Sequence, residues 1–326
     1  MACVRYGLGA RAMMPEPFRH VDRDQTIVFG TGALDAAEDL LGSGYTLLTT
    51  PRAAAGSPTV VGRASVVVPV PSGRVDVIAA QLRAAVTTQR LVALGGGRVI
   101  DTAKAIAAAE GLPGPVAIPT SLSGAEMTGV HRHARGVPDE TPRSRASIVI
   151  NDPALSASQP QDQLAAGSAN ALGHAITALV STRSTPIART VAREGIQRLA
   201  RGWAAIGPDR AEIALAAVLA GWAVDRSGLG PHHALSQTAV RTTAIGHAEV
   251  NAALLPFTVR AMRARLPDAL AVLDDDLGAP LEKLAEMLRD RASVSGLGDL
   301  GTDNDQLTEQ STPPPNERSS SACHPQ

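Results

Sequence analysis

Apolar and polar positions along the chain fall into two regimes. Up to about residue 150, short β-rich runs alternate with helical patterns. Thr26–Gly30, Tyr45–Thr50, Ala64–Val70, Leu91–Leu94, Pro115–Pro119 and Ala146–Ile150 read as strands, and Gly73–Thr88 and Val99–Glu110 as helices. Apolar strands alternating with helices predict a mainly parallel sheet with helices on both faces. Around Pro153–Pro160 the pattern changes. From Gln161 to Arg265 there are only Ala/Leu-rich helical stretches, broken at Pro186, Pro208, Gly228–Pro231 and Gly246. The expected fold class is an α/β domain over residues 20–155 followed by an all-α domain over residues 156–301. Their join near residue 155 is the expected place for a ligand cleft. From Thr302 to Gln326 the chain is polar, with a Pro triplet and a Ser triplet, and reads as a disordered tail.

Composition narrows the function more than the fold. Thirty Lys and Arg against 31 Asp and Glu leave a net charge of -1, without the basic excess of a nucleic-acid or membrane-surface protein. Aromatics at 2% supply no stacking platform for bases. Cys3 and Cys323 lie at opposite ends, so neither a disulfide framework nor a cysteine metal cluster is expected. Arg5 and Arg11 precede no apolar run, so no signal peptide is expected. The apolar stretch Ile213–Val224 is too short to span a bilayer and reads as a buried helix. A cytoplasmic protein with a small-molecule ligand is the expectation.

The first candidate for chemistry is Gly95-Gly96-Gly97, between the strand Leu91–Leu94 and the helix Val99–Glu110. Glycines let a backbone approach a phosphate, and the helix N-terminus offers unpaired N–H groups and a positive dipole end. A purely structural strand-to-helix turn accounts for three glycines equally well, and the GxGxxG fingerprint is absent. A second strand end carries the hydroxyl-rich loop Thr120-Ser121-Leu122-Ser123, which could line the same groove.

GGGRVIDTAKAIA, AIPTSLSGAEMT, AGSANALGHAITAL, HHALSQ and GHAEVNAALLP, in this order and spacing, resemble the iron-type alcohol dehydrogenase family, and within it the maleylacetate reductase branch. The likeness runs over roughly residues 20–301. Two features favour that branch: a loop after Pro119 one residue shorter than in the alcohol-oxidising members, and Asn170 where those members carry Asp. The resemblance implies an α/β dinucleotide-binding domain followed by a helical domain, the dehydroquinate synthase-like architecture. It implies a homodimer, and NAD(P)H bound by Gly95, Gly96, Gly97, Asp101, Thr120, Ser121, Met127 and Thr50.

Asn170 and His174 are four apart in a helical stretch and so share a face. His233 and His247 follow, each beside a chain break. Imidazoles on facing helices suit a divalent metal, zinc or iron, which needs about three ligands and an open position. The resemblance implies His174, His233 and His247 as the metal ligands with Asn170 as the fourth. An amide adds no charge to offset the metal's, so the site is weakened. The same histidines are the candidate catalytic groups, with His233 or His247 as the acid beside a developing enolate. His232 is expected beside the site, and His131 and His133 in a solvated, Arg-rich loop.

The implied reaction is NAD(P)H-dependent reduction of a small oxo-dicarboxylic acid from aromatic-ring breakdown, maleylacetate to 3-oxoadipate. Several departures keep alternatives open. Gln237 stands where relatives carry a histidine, Arg241 replaces a glycine, and Thr49-Thr50-Pro51-Arg52 has no acid for a ribose 2′-hydroxyl. Relatives continue with helices where this chain enters its polar tail after Leu297–Gly301. A metal-dependent alcohol or aldehyde dehydrogenase is one alternative. A shortened, inactive relative that still binds dinucleotide is another.

Overall fold

A computed structural model describes residues 15–204, 207–242, 246–294 and 296. The polar tail, Leu297–Gly301 and the Arg241 side chain lie outside the described residues. Seven strands, β1 (Phe18–Asp22), β2 (Gln25–Phe29), β3 (Tyr45–Thr49), β4 (Ala64–Pro69), β5 (Leu91–Gly95), β6 (Val116–Pro119) and β7 (Ile148–Asn151), form one sheet in the order β1-β2-β7-β6-β5-β3-β4. Every neighbouring pair is parallel except β1 with β2. The six strands read from the sequence are β2 to β7. β1 carries no apolar alternation and is mostly exposed. It is held by its ladder with β2 and by Asp22, which accepts from the Trp222 indole N–H at 2.8 Å and pairs with Arg226.

Strands β3, β5 and β6 are buried along their whole length, as strands covered on both faces must be. The period of two sorts β5 cleanly. Val92 and Leu94 face a core closed by α1 (Ala33–Ala36), α2 (Glu38–Leu41) and α4 (Pro58–Gly62), with α3 (Pro51–Ala55) alongside. Leu91 and Ala93 face a second core closed by α5 (Val75–Leu82) and α6 (Gly97–Glu110). That second core does not stop at residue 155. It continues through Leu122, Ala125 and Met127 into the helices that follow.

Those helices are α7 (Gln161–Val180), α8 (Pro186–Ala204), α9 (Arg210–Ser227), α10 (Pro231–Thr242), α11 (His247–Arg265), α12 (Pro267–Leu277) and α13 (Leu281–Arg291). Their starts coincide with the breaks in the sequence pattern. α8 and α10 begin on proline, and Asp209 caps α9 by accepting from the N–H groups of Ala211 and Glu212. α7 is buried on all sides from Leu164 to Ala178, which only a helix rich in small apolar residues can be. The predicted buried helix at Ile213–Val224 is the middle of α9. Among the described residues no single helix is long and apolar enough to cross a membrane.

Candidate functional site

Thr50, Gly95–Gly97 and Thr120–Ser121 follow β3, β5 and β6, which are neighbours in the sheet. Together they lie along its carboxyl edge, where ligands of open parallel sheets bind. The Gly95 carbonyl accepts from the Thr120 N–H at 3.0 Å, tying the glycine turn to the hydroxyl loop. The Gly96 carbonyl accepts from the N–H groups of Val99 and Ile100, and the first N–H groups of α6 point outward without intrahelical partners. A Cβ on Gly95 would stand 2.7 Å from Val99 Cγ2, and one on Gly97 would stand 2.8 Å from Ser123 Cβ. These glycines are required by close approach. The turn, the helix N-terminus and the hydroxyls of Ser121 and Ser123 make a cradle fit for a pyrophosphate.

The remaining expected coenzyme residues differ in place. Thr50 is half-buried and caps α3, its Oγ1 accepting from the Ala53 N–H at 3.3 Å. Asp101 sits one turn into α6 with its carboxylate 2.8 Å from Lys104 Nζ. Met127 is completely buried, so it anchors the loop from beneath and does not line the groove.

Behind the loop lies the imidazole cluster. α7 places Asn170 and His174 one turn apart, α10 supplies His232 and His233, and α11 opens on His247. The rings of His174 and His233 stack at 4.3 Å between centroids and 13° between planes. His232 meets His233 edge-on at 5.2 Å, and His247 stands 6.4 Å from His233. Burial, with the other histidines adding to it, lowers His174 to about 3 and His233 well below the ordinary value. Burial lowers His232 to about 4. These three rings are neutral at pH 7. His247 opens α11 and keeps solvent exposure, while the protein packed around it displaces water and lowers its pKa, against the pull of Asp101 and Glu249.

The cluster brings the expected metal ligands together without arranging them as ligands. Parallel stacked rings do not aim their nitrogens at one point, and His174 Nδ1 and His233 Nδ1 have no partner. Among the described residues no group of three or more His, Cys, Asp or Glu side chains is placed to hold a metal ion. Asn170 is committed elsewhere. Its Nδ2 donates to the carbonyls of Ser123 at 3.2 Å and Leu122 at 3.5 Å, while Oδ1 faces His233 Nε2 at 3.4 Å. An aspartate could not donate to those carbonyls, which is a physical reason for the amide here. The residues present therefore do not fit a divalent metal.

Two further groups at the site lie inside the quoted motifs but are not among the expected site residues. Lys104 is wholly buried beneath the hydroxyl loop. Glu126, also buried, has an Oε2 without a partner, and burial pushes its carboxyl up to about 7. It lines a small pocket with Ser121, Asn151, Asp152 and Ser156 where the sheet meets the helices. The loop expected to be solvated is not so around His131. That ring is buried, its Nε2 accepting from the Ser144 N–H and its Nδ1 donating to the Arg132 carbonyl, both at 3.0 Å.

Known proteins share this architecture. Residues 164–312 match the C-terminal part of the Fe-containing alcohol dehydrogenase family, and residues 61–129 match an iron-containing alcohol dehydrogenase family. A maleylacetate reductase of Burkholderia cepacia is 30% identical, over 83% of this chain and 82% of its own. One of Sphingobium indicum is 28% identical over 89% and 87%. The crystal structure of maleylacetate reductase from Rhizobium sp. strain MTP-10005 superposes with a TM-score of 0.74 at 25% identity, covering 91% of this chain and 90% of that one. The chain belongs to the iron-containing alcohol dehydrogenase family of NAD(P)-dependent oxidoreductases, near its maleylacetate reductase branch.

Proposed function

We propose that this protein is a metal-independent NAD(P)H-dependent reductase of a small oxo-dicarboxylic acid, with maleylacetate to 3-oxoadipate as its reaction. The observation that carries this reading is a phosphate cradle beside a neutral, packed imidazole cluster with one exposed histidine, His247. Maleylacetate reductases matched over more than four-fifths of both chains support the substrate class.

In this reading Gly95–Gly97 and the α6 N-terminus hold the pyrophosphate, and Thr50, Thr120 and Ser121 face the ribose and phosphate oxygens. The reduced nicotinamide, when bound, supplies the hydride. His247 holds the proton that the substrate's developing enolate takes up, because it is the one member of the cluster open to the cleft. His174 and His233 stay neutral and keep water from the inner wall. The end of β3 offers Thr50 and no carboxylate, so nothing there repels a 2′-phosphate. NADPH is expected to serve as well as NADH.

The test is oxidation of NADH and of NADPH with maleylacetate, with and without chelator. Turnover that survives chelation is expected. Loss on chelation would favour a metal-dependent dehydrogenase, and coenzyme binding without turnover on a broad carbonyl panel would favour an inactive relative. His247→Ala is expected to lower kcat by roughly 10²-fold or more, the scale of a lost general acid, with coenzyme affinity kept. Because the pKa of His247 is lowered, wild-type kcat should fall as pH rises above that pKa, on the acid side of the ordinary histidine value. A kcat that is flat from pH 6 to 9 would remove His247 from the role.

A further inference from the structure

We propose that Lys104 is a positioning residue that locks the Thr120–Val130 loop to helix α6, so that the loop hydroxyls and the helix N-terminus form a single preorganised coenzyme cradle. The inference rests on the coenzyme reading above and adds to it a group that touches no ligand.

Lys104 lies about two turns inside α6, counted from its first residue Gly97. Its side chain is 0% exposed. An ammonium so enclosed is tolerated only when its charge is paired and its three N–H groups are satisfied. Both conditions are met. Lys104 Nζ donates to the carbonyls of Ala125 at 2.8 Å, Val130 at 2.9 Å and Thr128 at 3.0 Å, and the Asp101 carboxylate stands 2.8 Å away. The three carbonyls belong to a segment without regular secondary structure, so no ladder orders them. One cation gathers them.

What the ammonium holds is the far half of the loop whose near half makes the cradle. Ser121 and Ser123 pack against Gly96 and Gly97, and Asn170 grips the carbonyls between them from the side of α7. Arg145 adds a donor to the Met127 carbonyl at 2.8 Å. Lys104 and Gly97 ride on the same helix, with Gly96 capping it, so the tether couples the two walls directly. Asp101, one turn earlier on the same helix, is the counter-charge.

The residue type points the same way. Of the 30 basic residues in the chain, 28 are arginine and only Lys104 and Lys283 are lysine. An ammonium sends three donors in tetrahedral directions, matching three converging carbonyls. A planar guanidinium with five donors neither fits the enclosed space nor satisfies itself there. Full enclosure also excludes contact of Lys104 with substrate.

The experiment compares wild type with Lys104→Met, Lys104→Gln and, as a stability control in α12 remote from the loop, Leu273→Ala. It measures NADH and NADPH dissociation constants by calorimetry and amide hydrogen exchange over residues 121–130. Lys104→Met is expected to weaken both coenzymes at least tenfold and to speed exchange in 121–130 at least tenfold, with exchange in α12 unchanged. Lys104→Gln, which keeps part of the donor set, should fall between. Leu273→Ala should lower the melting temperature yet keep coenzyme affinity within twofold. Wild-type exchange over 121–130 in folded Lys104→Met overturns the tether. Faster exchange with unchanged coenzyme affinity overturns its role in binding, as does an equal loss of affinity in Leu273→Ala. Failure of the wild-type protein to bind either coenzyme overturns the coenzyme reading instead, and the exchange arm still decides whether Lys104 holds the loop.

Discussion

Lowering the pH from 7 to 5 is expected to destabilise this protein by roughly 2 kcal/mol or more, through imidazoles that are buried in neutral form. His174, His232 and His233 have folded-state pKa values depressed below the ordinary 6.5. Below pH 6.5 the unfolded chain takes up protons that the folded cluster refuses. The stability these rings contribute is therefore complete above 6.5 and is lost as pH falls toward their folded values. Each pKa unit is worth about 1.4 kcal/mol, so His174 and His232 together lose roughly 4 kcal/mol by pH 5, and His233 adds to the loss in the same direction. Glu126 opposes them. Its carboxyl is raised from 4.5 to about 7, so its contribution is complete below 4.5 and lost as pH rises through 7. Between pH 7 and pH 5 it returns about 2 kcal/mol. A net loss of roughly 2 kcal/mol is a measurable share of a typical domain's stability of about 5–15 kcal/mol. Denaturant melts at pH 7.5, 6 and 5 should show a falling midpoint, and Glu126→Gln should fall more steeply because the opposing group is gone. A midpoint unchanged over that range would mean that the rings are not held neutral. Activity is then confined between acid unfolding below and loss of the His247 proton above.

Gly97→Val is expected to remove coenzyme binding, with a dissociation constant raised at least a hundredfold, or about 3 kcal/mol. A Cβ at this position meets Ser123 Cβ at 2.8 Å and Oγ at 2.9 Å. The loop cannot simply retreat, because Asn170 and Lys104 hold carbonyls on both sides of the contact. The added methyls also cover N–H groups that would face the phosphates. Some loss of stability, about 1–3 kcal/mol, accompanies the overpacking. Gly62→Ala, whose Cβ would meet nothing within 4 Å, is the matched control and should bind coenzyme normally. Normal binding by Gly97→Val would return the glycine turn to a purely structural role.

The glycine turn, the hydroxyl loop and the spaced histidines were all legible in the sequence, because each is a local pattern. So were six of the seven strands, and the helix starts at Pro186, Pro231 and His247. β1 was not legible. Its residues are mostly exposed, Phe18 and Val21 included, and it is a strand only because β2 offers a free edge and α9 offers Trp222 and Arg226. His131 looked solvated among arginines, yet the folded loop encloses it.

What the sequence alone determined is the order of elements, the faces they bury and which residue types reach the cleft. Those follow from periods of 2.0 and 3.6 residues, which act over a few positions. Only the tertiary structure decided how the assembled groups meet. The donors of Lys104 reach carbonyls 21 to 26 residues away, and those of Asn170 reach carbonyls 47 and 48 residues away. Whether four histidines converge on a metal or stack face to face depends on the distance and tilt between helices, and packing of the whole core sets both. In this protein the packing stacks His174 on His233, sets His232 edge-on to His233 and leaves His247 tilted.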